Sequence, residues 1–157
     1  MSPSATVLTV STRAAAGVYD DLTGPMIADW CRSRGFTVDA VVTPDARVAD
    51  AVQSALDARP DLLLTTGGTG IAPDDSTPDA VRPLLTRELP GYGEELRRRG
   101  TAASPHALLS RALAGVAGST LLVCLPGSTG GVRDGLDLLD GILDHILDQL
   151  RGGRHDD

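Results

Sequence analysis

Residues 61–78, DLLLTTGGTGIAPDDSTP, decide how this chain is read. An apolar run, Leu62-Leu63-Leu64, leads through Thr65 and Thr66 into Gly67, Gly68, Thr69 and Gly70. Asp74 and Asp75 follow, and then Ser76-Thr77-Pro78, which reads as a helix start. A strand that empties into a glycine-rich loop before a helix is where α/β proteins hold phosphates. Glycine lets backbone N–H groups close on an anion, and the next helix presents its positive end. Carboxylates beside such a loop would repel a bare phosphate; they fit if they carry a Mg²⁺ that bridges to it. Two plainer readings compete: TGGTG as a tight turn, and Asp74-Asp75 as charges at the start of the next helix. The strand before the loop and the helix after it weigh against the first.

Outward from this stretch the pattern alternates strand and helix. Strands are expected over Thr6–Ser11, Phe36–Thr43, Asp61–Thr66 and Thr120–Leu125, with a short strand or hairpin arm over Leu108–Val116. Helices are expected over Asp21–Arg34 (ended by Gly35), Arg47–Ala58, Thr77–Glu88, Gly93–Arg99 and Gly131–Leu150. In the third of these Thr77 is the expected N-cap, with Pro78 at the first helical position. Strands separated by helices predict a single-domain three-layer α/β/α fold with a mostly parallel central sheet. The domain is expected to span residues 1–157, with its core at about 6–150 and 151–157 as a frayed tail.

Composition narrows the function classes. The 157 residues are 41% hydrophobic but only 3% aromatic, so the core must be aliphatic, and stacking of single-stranded bases is disfavoured. Net charge is −7, and only Arg97-Arg98-Arg99 concentrates positive charge, which sets nucleic acid aside as a partner. All 14 cations are arginines; with no lysine, a GxxxxGK[ST] phosphate loop is impossible. Phosphate handling must then rest on backbone amides, arginine and metal. Cys31 and Cys124 read as reduced core thiols. Ala5–Val10 reads as a first strand rather than a signal peptide, and no run is long enough to span a membrane, so a cytoplasmic protein is expected.

Ligands of open α/β sheets sit beyond the carboxyl ends of the strands. The loops expected there are Ser11–Asp21, Pro44-Asp45, Thr66–Ser76 and Pro126–Gly131. Asp45 alone is also an ordinary turn residue; it gains weight by leaving the same sheet edge as Asp75. Leu125-Pro126-Gly127-Ser128 repeats the logic of strand, glycine turn and helix, and it too reads otherwise as a simple strand–helix turn. Asp140, Asp144 and Asp148 read as the solvated face of an amphipathic helix, and Arg97–Arg99 as exposed charge. His106, His145 and His155 have no metal-ligand spacing.

The chain carries, in order, Val10-Ser11-Thr12-Arg13 with Gly17-Val18-Tyr19 and Asp21, Pro44-Asp45, and TTGGTG at 65–70. Asp75 with Thr77-Pro78-Asp79-Ala80, Pro90-Gly91 with Glu94, Leu109-Ser110-Arg111, and Leu125-Pro126-Gly127-Ser128 follow. In order and spacing these residues resemble the Mog/MoaB family of molybdopterin adenylyltransferases, which is related to the G domain of gephyrin. The resemblance implies Mg²⁺-dependent transfer of AMP from ATP to the terminal phosphate of molybdopterin, with release of pyrophosphate. It implies Asp45 and Asp75 as the essential acids and metal ligands. It implies a substrate cradle of Ser11, Arg13, Thr66, Gly67, Gly68, Thr69, Gly70, Ser110, Arg111, Pro126, Gly127 and Ser128. A homotrimer and a downstream molybdate-inserting enzyme are implied as well.

The chain departs from the family pattern at four positions. Asp74 stands where an arginine is usual, Thr12 where an acid is often found, and Thr129 and Gly130 where proline and lysine are often seen. Arg133 is the nearest cation left to replace the lost charge. Two other activities remain open: a MoaB-like molybdopterin binder without adenylyl transfer, and a nucleotide pyrophosphatase of the competence-damage type.

Overall fold

Six strands form one sheet in the order β2-β1-β3-β6-β5-β4: β1 (Ser4–Val10), β2 (Thr37–Thr43), β3 (Leu62–Thr66), β4 (Arg87–Glu88), β5 (Leu113–Ala117) and β6 (Thr120–Leu125). The structure is a computed structural model that describes residues 2–153. The first four strands in that spatial order run parallel; β5 is antiparallel to β6 and to β4. The mostly parallel sheet expected from the alternation is therefore present. β3 and β6 are buried at every residue, which is why they read as unbroken apolar runs.

Among the described residues there are seven α-helices: α1 (Thr12–Ala15), α2 (Thr23–Ser33), α3 (Val48–Asp57), α4 (Thr77–Val81), α5 (Pro90–Gly100), α6 (Thr129–Asp140) and α7 (Leu143–Leu150). On one face Ile27, Cys31, Tyr92, Leu96, Leu136 and Leu143 pack on Val7, Leu64 and Val123. On the other, Val48, Val52 and Val81 pack on Leu8, Leu63 and Leu122. Alternate residues of β1, β3, β5 and β6 thus serve the two faces, and the three layers follow.

Three sequence expectations need correction. The helix expected over Thr77–Glu88 stops at Val81, gives way to a 3₁₀ turn at Arg82–Leu84, and ends as β4 on the hairpin arm β5. Pro83 lacks the N–H a continuing helix needs, and the Thr86 amide donates to Val116 O instead, at 2.7 Å. The cap of α4 is Ser76, without a side-chain bond, so Thr77 is its first residue and Pro78 lies within the first turn. The C-terminal helix breaks between α6 and α7, where Ile142 has φ −130° and ψ −13°. Gly141 is a weak helix former there, and the break lets Leu143 and Leu147 reach the core.

Two charge readings also change. Asp140 accepts a hydrogen bond from Trp30 Nε1 at 2.9 Å and pairs with Arg34, so it staples α6 to α2 rather than facing solvent alone. Arg97 is half-buried, donating to Ala112 O at 2.8 Å and Ser110 O at 3.3 Å, while Arg98 and Arg99 pair with Glu95 and Asp137. His155 and the end of the expected frayed tail lie outside the described residues.

Cys31 and Cys124 are free and buried. Burial pushes each thiol up from 9.0 to about 12, opposed more weakly by Arg32 at Cys31 and by Thr65 and Arg82 at Cys124. A thiol that ionises near pH 9.0 only when unfolded stabilises the fold fully below that pH. As pH climbs toward 12 the unfolded chain gives up protons that the folded chain keeps, and stability falls. Denaturant midpoints are expected to drop across this window, and to drop less in a Cys31→Ala/Cys124→Ala double variant.

Candidate active site

The four parallel strands β2, β1, β3 and β6 deliver their carboxyl ends to one rim, at Thr43, Val10, Thr66 and Leu125. The chain leaves β1 toward β2 on one side and meets β3 on the other, so the strand order reverses there, and a crevice opens. Gly67 sits in it with φ +98°, and a Cβ there would overlap the Val10 carbonyl. Gly68 follows at φ +68°, where a Cβ would overlap the buried hydroxyl of Thr77. The loop can therefore lie this close to β1 and α4 only as glycine. Gly67 N donates to Leu125 O at 3.2 Å, and a Cβ on Gly127 would stand 3.4 Å from Gly67 Cα. The two glycine turns thus touch. Thr66 fastens them further: its hydroxyl donates to Pro126 O at 2.8 Å and bonds Thr23 Oγ1 at 3.0 Å.

Both candidate acids come to this loop. Asp45 begins a 3₁₀ turn after β2, and its Oδ1 lies 3.4 Å from where a Gly68 Cβ would be. Its Oδ2 accepts from Thr12 Oγ1 at 2.8 Å and from Thr12 N at 3.2 Å. Asp75 Oδ2 accepts from Ala72 N at 3.1 Å and lies 2.6 Å from the position of a Gly70 Cβ. Among the described residues no group of three or more His, Cys, Asp or Glu could hold a metal. Two half-occupied carboxylates do fit Mg²⁺, which commonly takes one or two carboxylates and fills its octahedron with phosphate oxygens and water.

The touching glycine turns divide the rim into two open cavities. The first, about 450 Å³, is lined by Ser11, Tyr19, Asp20, Thr66, Gly67 and Ser128, among others. The second, about 470 Å³, has apolar walls from Leu96, Ala103, Ala107 and Leu109, and polar groups from Thr69, Ser110, Ser128 and Asp134. Ser128 lines both. Ser11 Oγ accepts from Ala14 N at 3.2 Å and Ser128 Oγ from Gly131 N at 3.1 Å, each capping a helix. Each hydroxyl proton is left to donate to a ligand. The N-terminal amides of α6 face the same place.

The arginines divide differently from the sequence expectation. Arg111 donates from Nε to Gly70 O at 3.0 Å, from Nη2 to Asp75 O at 2.8 Å, and from Nη1 to both Asp79 oxygens at 2.9 Å. Its own amide donates to Thr69 O at 2.8 Å. This guanidinium splints the glycine loop from behind. Arg13 and Arg133 are exposed and have no ion pair among the described residues.

Sequence reasoning missed two residues. Thr12, read only as a departure where an acid is often found, is bonded to Asp45. Asp134, half-buried on the wall of the second cavity, has no hydrogen bond or ion pair among the described residues. Its position one turn into α6 was the available signal.

The fold and this rim define an open α/β domain with its ligand crevice where the strand order reverses. The family model described as a probable molybdopterin binding domain matches residues 6–145, and the chain belongs to that family. The molybdopterin biosynthesis Mog protein of Mycobacterium ulcerans superposes with a TM-score of 0.90 at 49% identity, covering 94% of this chain and 99% of that one. The molybdopterin adenylyltransferase of Helicobacter pylori is 32% identical over 93% of this chain and 86% of that protein. The molybdenum cofactor biosynthesis bifunctional protein of Chlorobaculum tepidum is 36% identical over 98% of this chain and 50% of that protein. The chain thus spans about half the length of the bifunctional relatives it matches.

Proposed function

We propose that this protein transfers AMP from ATP to the terminal phosphate of molybdopterin, giving adenylyl-molybdopterin and pyrophosphate. The observation that carries this reading is the pair of cavities on either side of the touching Gly67 and Gly127 turns, with Ser128 common to both. A two-substrate reaction between phosphates needs such an arrangement: two pockets for two heterocycles, and one shared place where the phosphates meet.

The second cavity suits the pterin. Its apolar walls match a flat ring, and Asp134 offers an unpaired carboxylate. A pterin presents an N–H and an amino group side by side, so it can donate two bonds to one carboxylate; the Watson–Crick edge of adenine presents one donor and one acceptor. ATP then takes the more polar first cavity, with Ser11 and Ser128 hydroxyls and the α6 amides toward its phosphates. An oxygen of the molybdopterin phosphate attacks the α-phosphorus, the bond to the β-phosphate oxygen breaks, and pyrophosphate leaves. The attacking phosphate is already ionised near neutral pH, so neither aspartate is needed as a base. Asp45 and Asp75 would hold Mg²⁺, which would supply neutralisation of the phosphate charge. The chain's own part is to bring two anions together in line and to exclude other geometries. The homotrimer and the molybdate-inserting partner that the resemblance implies, and the cytoplasmic setting expected from the sequence, belong to this reading.

Purified protein with molybdopterin, ATP and MgCl₂ tests it. Pyrophosphate and adenylyl-molybdopterin in equal amounts, lost on chelation of Mg²⁺, are expected; ATP cleavage that ignores molybdopterin would point to a pyrophosphatase and overturn it. Asp134→Asn is expected to raise KM for molybdopterin about 10- to 100-fold, the value of a hydrogen bond to a charged group, and to leave KM for ATP unchanged. A second reading, molybdopterin binding without transfer, has one observation in its favour. Arg111 is committed to the loop and Asp79, so its guanidinium is not free to neutralise phosphate. Tight molybdopterin binding without product would establish that reading instead.

A further inference from the structure

We propose that Thr12 is the positioning residue for Asp45: it ties down one carboxylate oxygen and leaves Oδ1 as the single oxygen free for a divalent cation. The inference rests on the metal site of the proposed function and goes beyond it by naming what sets that site's geometry.

β1 and β2 run parallel with Val10 opposite Thr43, so the residues two places beyond each strand end meet across the rim. Those residues are Thr12 and Asp45. They close a ring of three hydrogen bonds. Thr12 Oγ1 donates to Asp45 Oδ2 at 2.8 Å, Thr12 N donates to the same oxygen at 3.2 Å, and Asp45 N donates back to Thr12 Oγ1 at 3.2 Å. The hydroxyl thus uses its donor and an acceptor site at once.

Two consequences follow for Asp45. Oδ2 already accepts two hydrogen bonds from Thr12, which removes that oxygen from bidentate coordination. Oδ1 has no partner among the described residues and faces the loop at Gly68. Asp45 can therefore give a metal one oxygen, in one direction, at the lip of the phosphate loop. The β-branched Thr12 has few χ1 choices, so the constraint is stiff. A mere loop staple would show the same three bonds; what separates the two is the behaviour of the metal.

The test is Mn²⁺ titration followed by electron paramagnetic resonance in the presence of α,β-methylene-ATP, on wild type, Thr12→Val, Thr12→Ser and Asp45→Asn. Thr12→Val keeps the shape and loses the hydroxyl. It is expected to weaken Mn²⁺ binding about 10- to 100-fold, the usual effect of removing a group that orients a ligand. Thr12→Ser stays close to wild type. In the transfer assay Thr12→Val regains its kcat at high Mg²⁺, which a distorted loop would not allow. If Thr12→Val binds Mn²⁺ as tightly as wild type while Asp45→Asn does not, Thr12 is only a staple and this inference fails alone. If wild type binds no Mn²⁺, or Asp45→Asn binds it normally, the metal site of the proposed function fails and takes this inference with it.

Discussion

Asp75→Asn is expected to give a folded protein that no longer makes adenylyl-molybdopterin. Asp75 Oδ2 closes the Ala72–Asp75 turn by accepting from Ala72 N, and the asparagine amide oxygen can accept the same bond. The Asp75 carbonyl that receives Arg111 Nη2 is main chain and does not change. The substitution therefore removes charge and little else. That charge stands beside Gly70, where proposed Mg²⁺ and phosphate oxygens would meet. Losing one fixed electrostatic partner of a transition state commonly costs about 100- to 1000-fold in kcat. The expected readout is a fall of that size in pyrophosphate release, with unchanged circular dichroism and unfolding midpoint. Turnover within a few-fold of wild type would remove Asp75 from the metal site.

Gly67→Ala should damage the fold and the site together. Gly67 lies at φ +98°, and its Cβ would overlap Val10 O, a backbone atom in the middle of the sheet rim that cannot rotate aside. Holding a non-glycine residue in this region costs about 1–3 kcal/mol, and overpacking adds about 1–3 kcal/mol more. A total near 3–4 kcal/mol corresponds to a fall of about 10 °C in the unfolding midpoint for a domain of this size. Because Gly67 N also holds Leu125 O and Gly127 rests on Gly67 Cα, the displaced loop should pull both cavities out of register. A shift under about 2 °C would mean the rim is far more plastic than its bonds suggest.

What could be read from the chain beforehand depended on how local the cause was. β6 was bounded correctly as Thr120–Leu125 because an unbroken apolar run sits between Gly118-Ser119 and Pro126. The glycine loop and Asp75 were legible because strand, glycine and helix start lie within one stretch, and the rim position of Asp45 because Pro44-Asp45 directly follows a strand. β4 was not: two exposed residues form a strand only because β5 offers them partners. The break between α6 and α7 was hidden by leucine spacing that runs through Gly141. The partners of Thr12 and Arg111 were hidden for a common reason. Each owes its role to residues brought near by the sheet, Thr12 through the pairing of β1 with β2 and Arg111 through the β5–β6 hairpin. Local spacing carries no trace of that.

The splint formed by Arg111 also bears on how a nucleotide would arrive. Phosphate loops often order themselves around their ligand, and the entropy they lose is subtracted from affinity. Here Thr69 O, Gly70 O and Asp75 O are already held by one side chain and its own amide, and Asp79 anchors that side chain to α4. The ordering cost of the loop is met during folding. Association then resembles a key entering a finished lock, and its enthalpy and entropy should carry little signature of loop rearrangement.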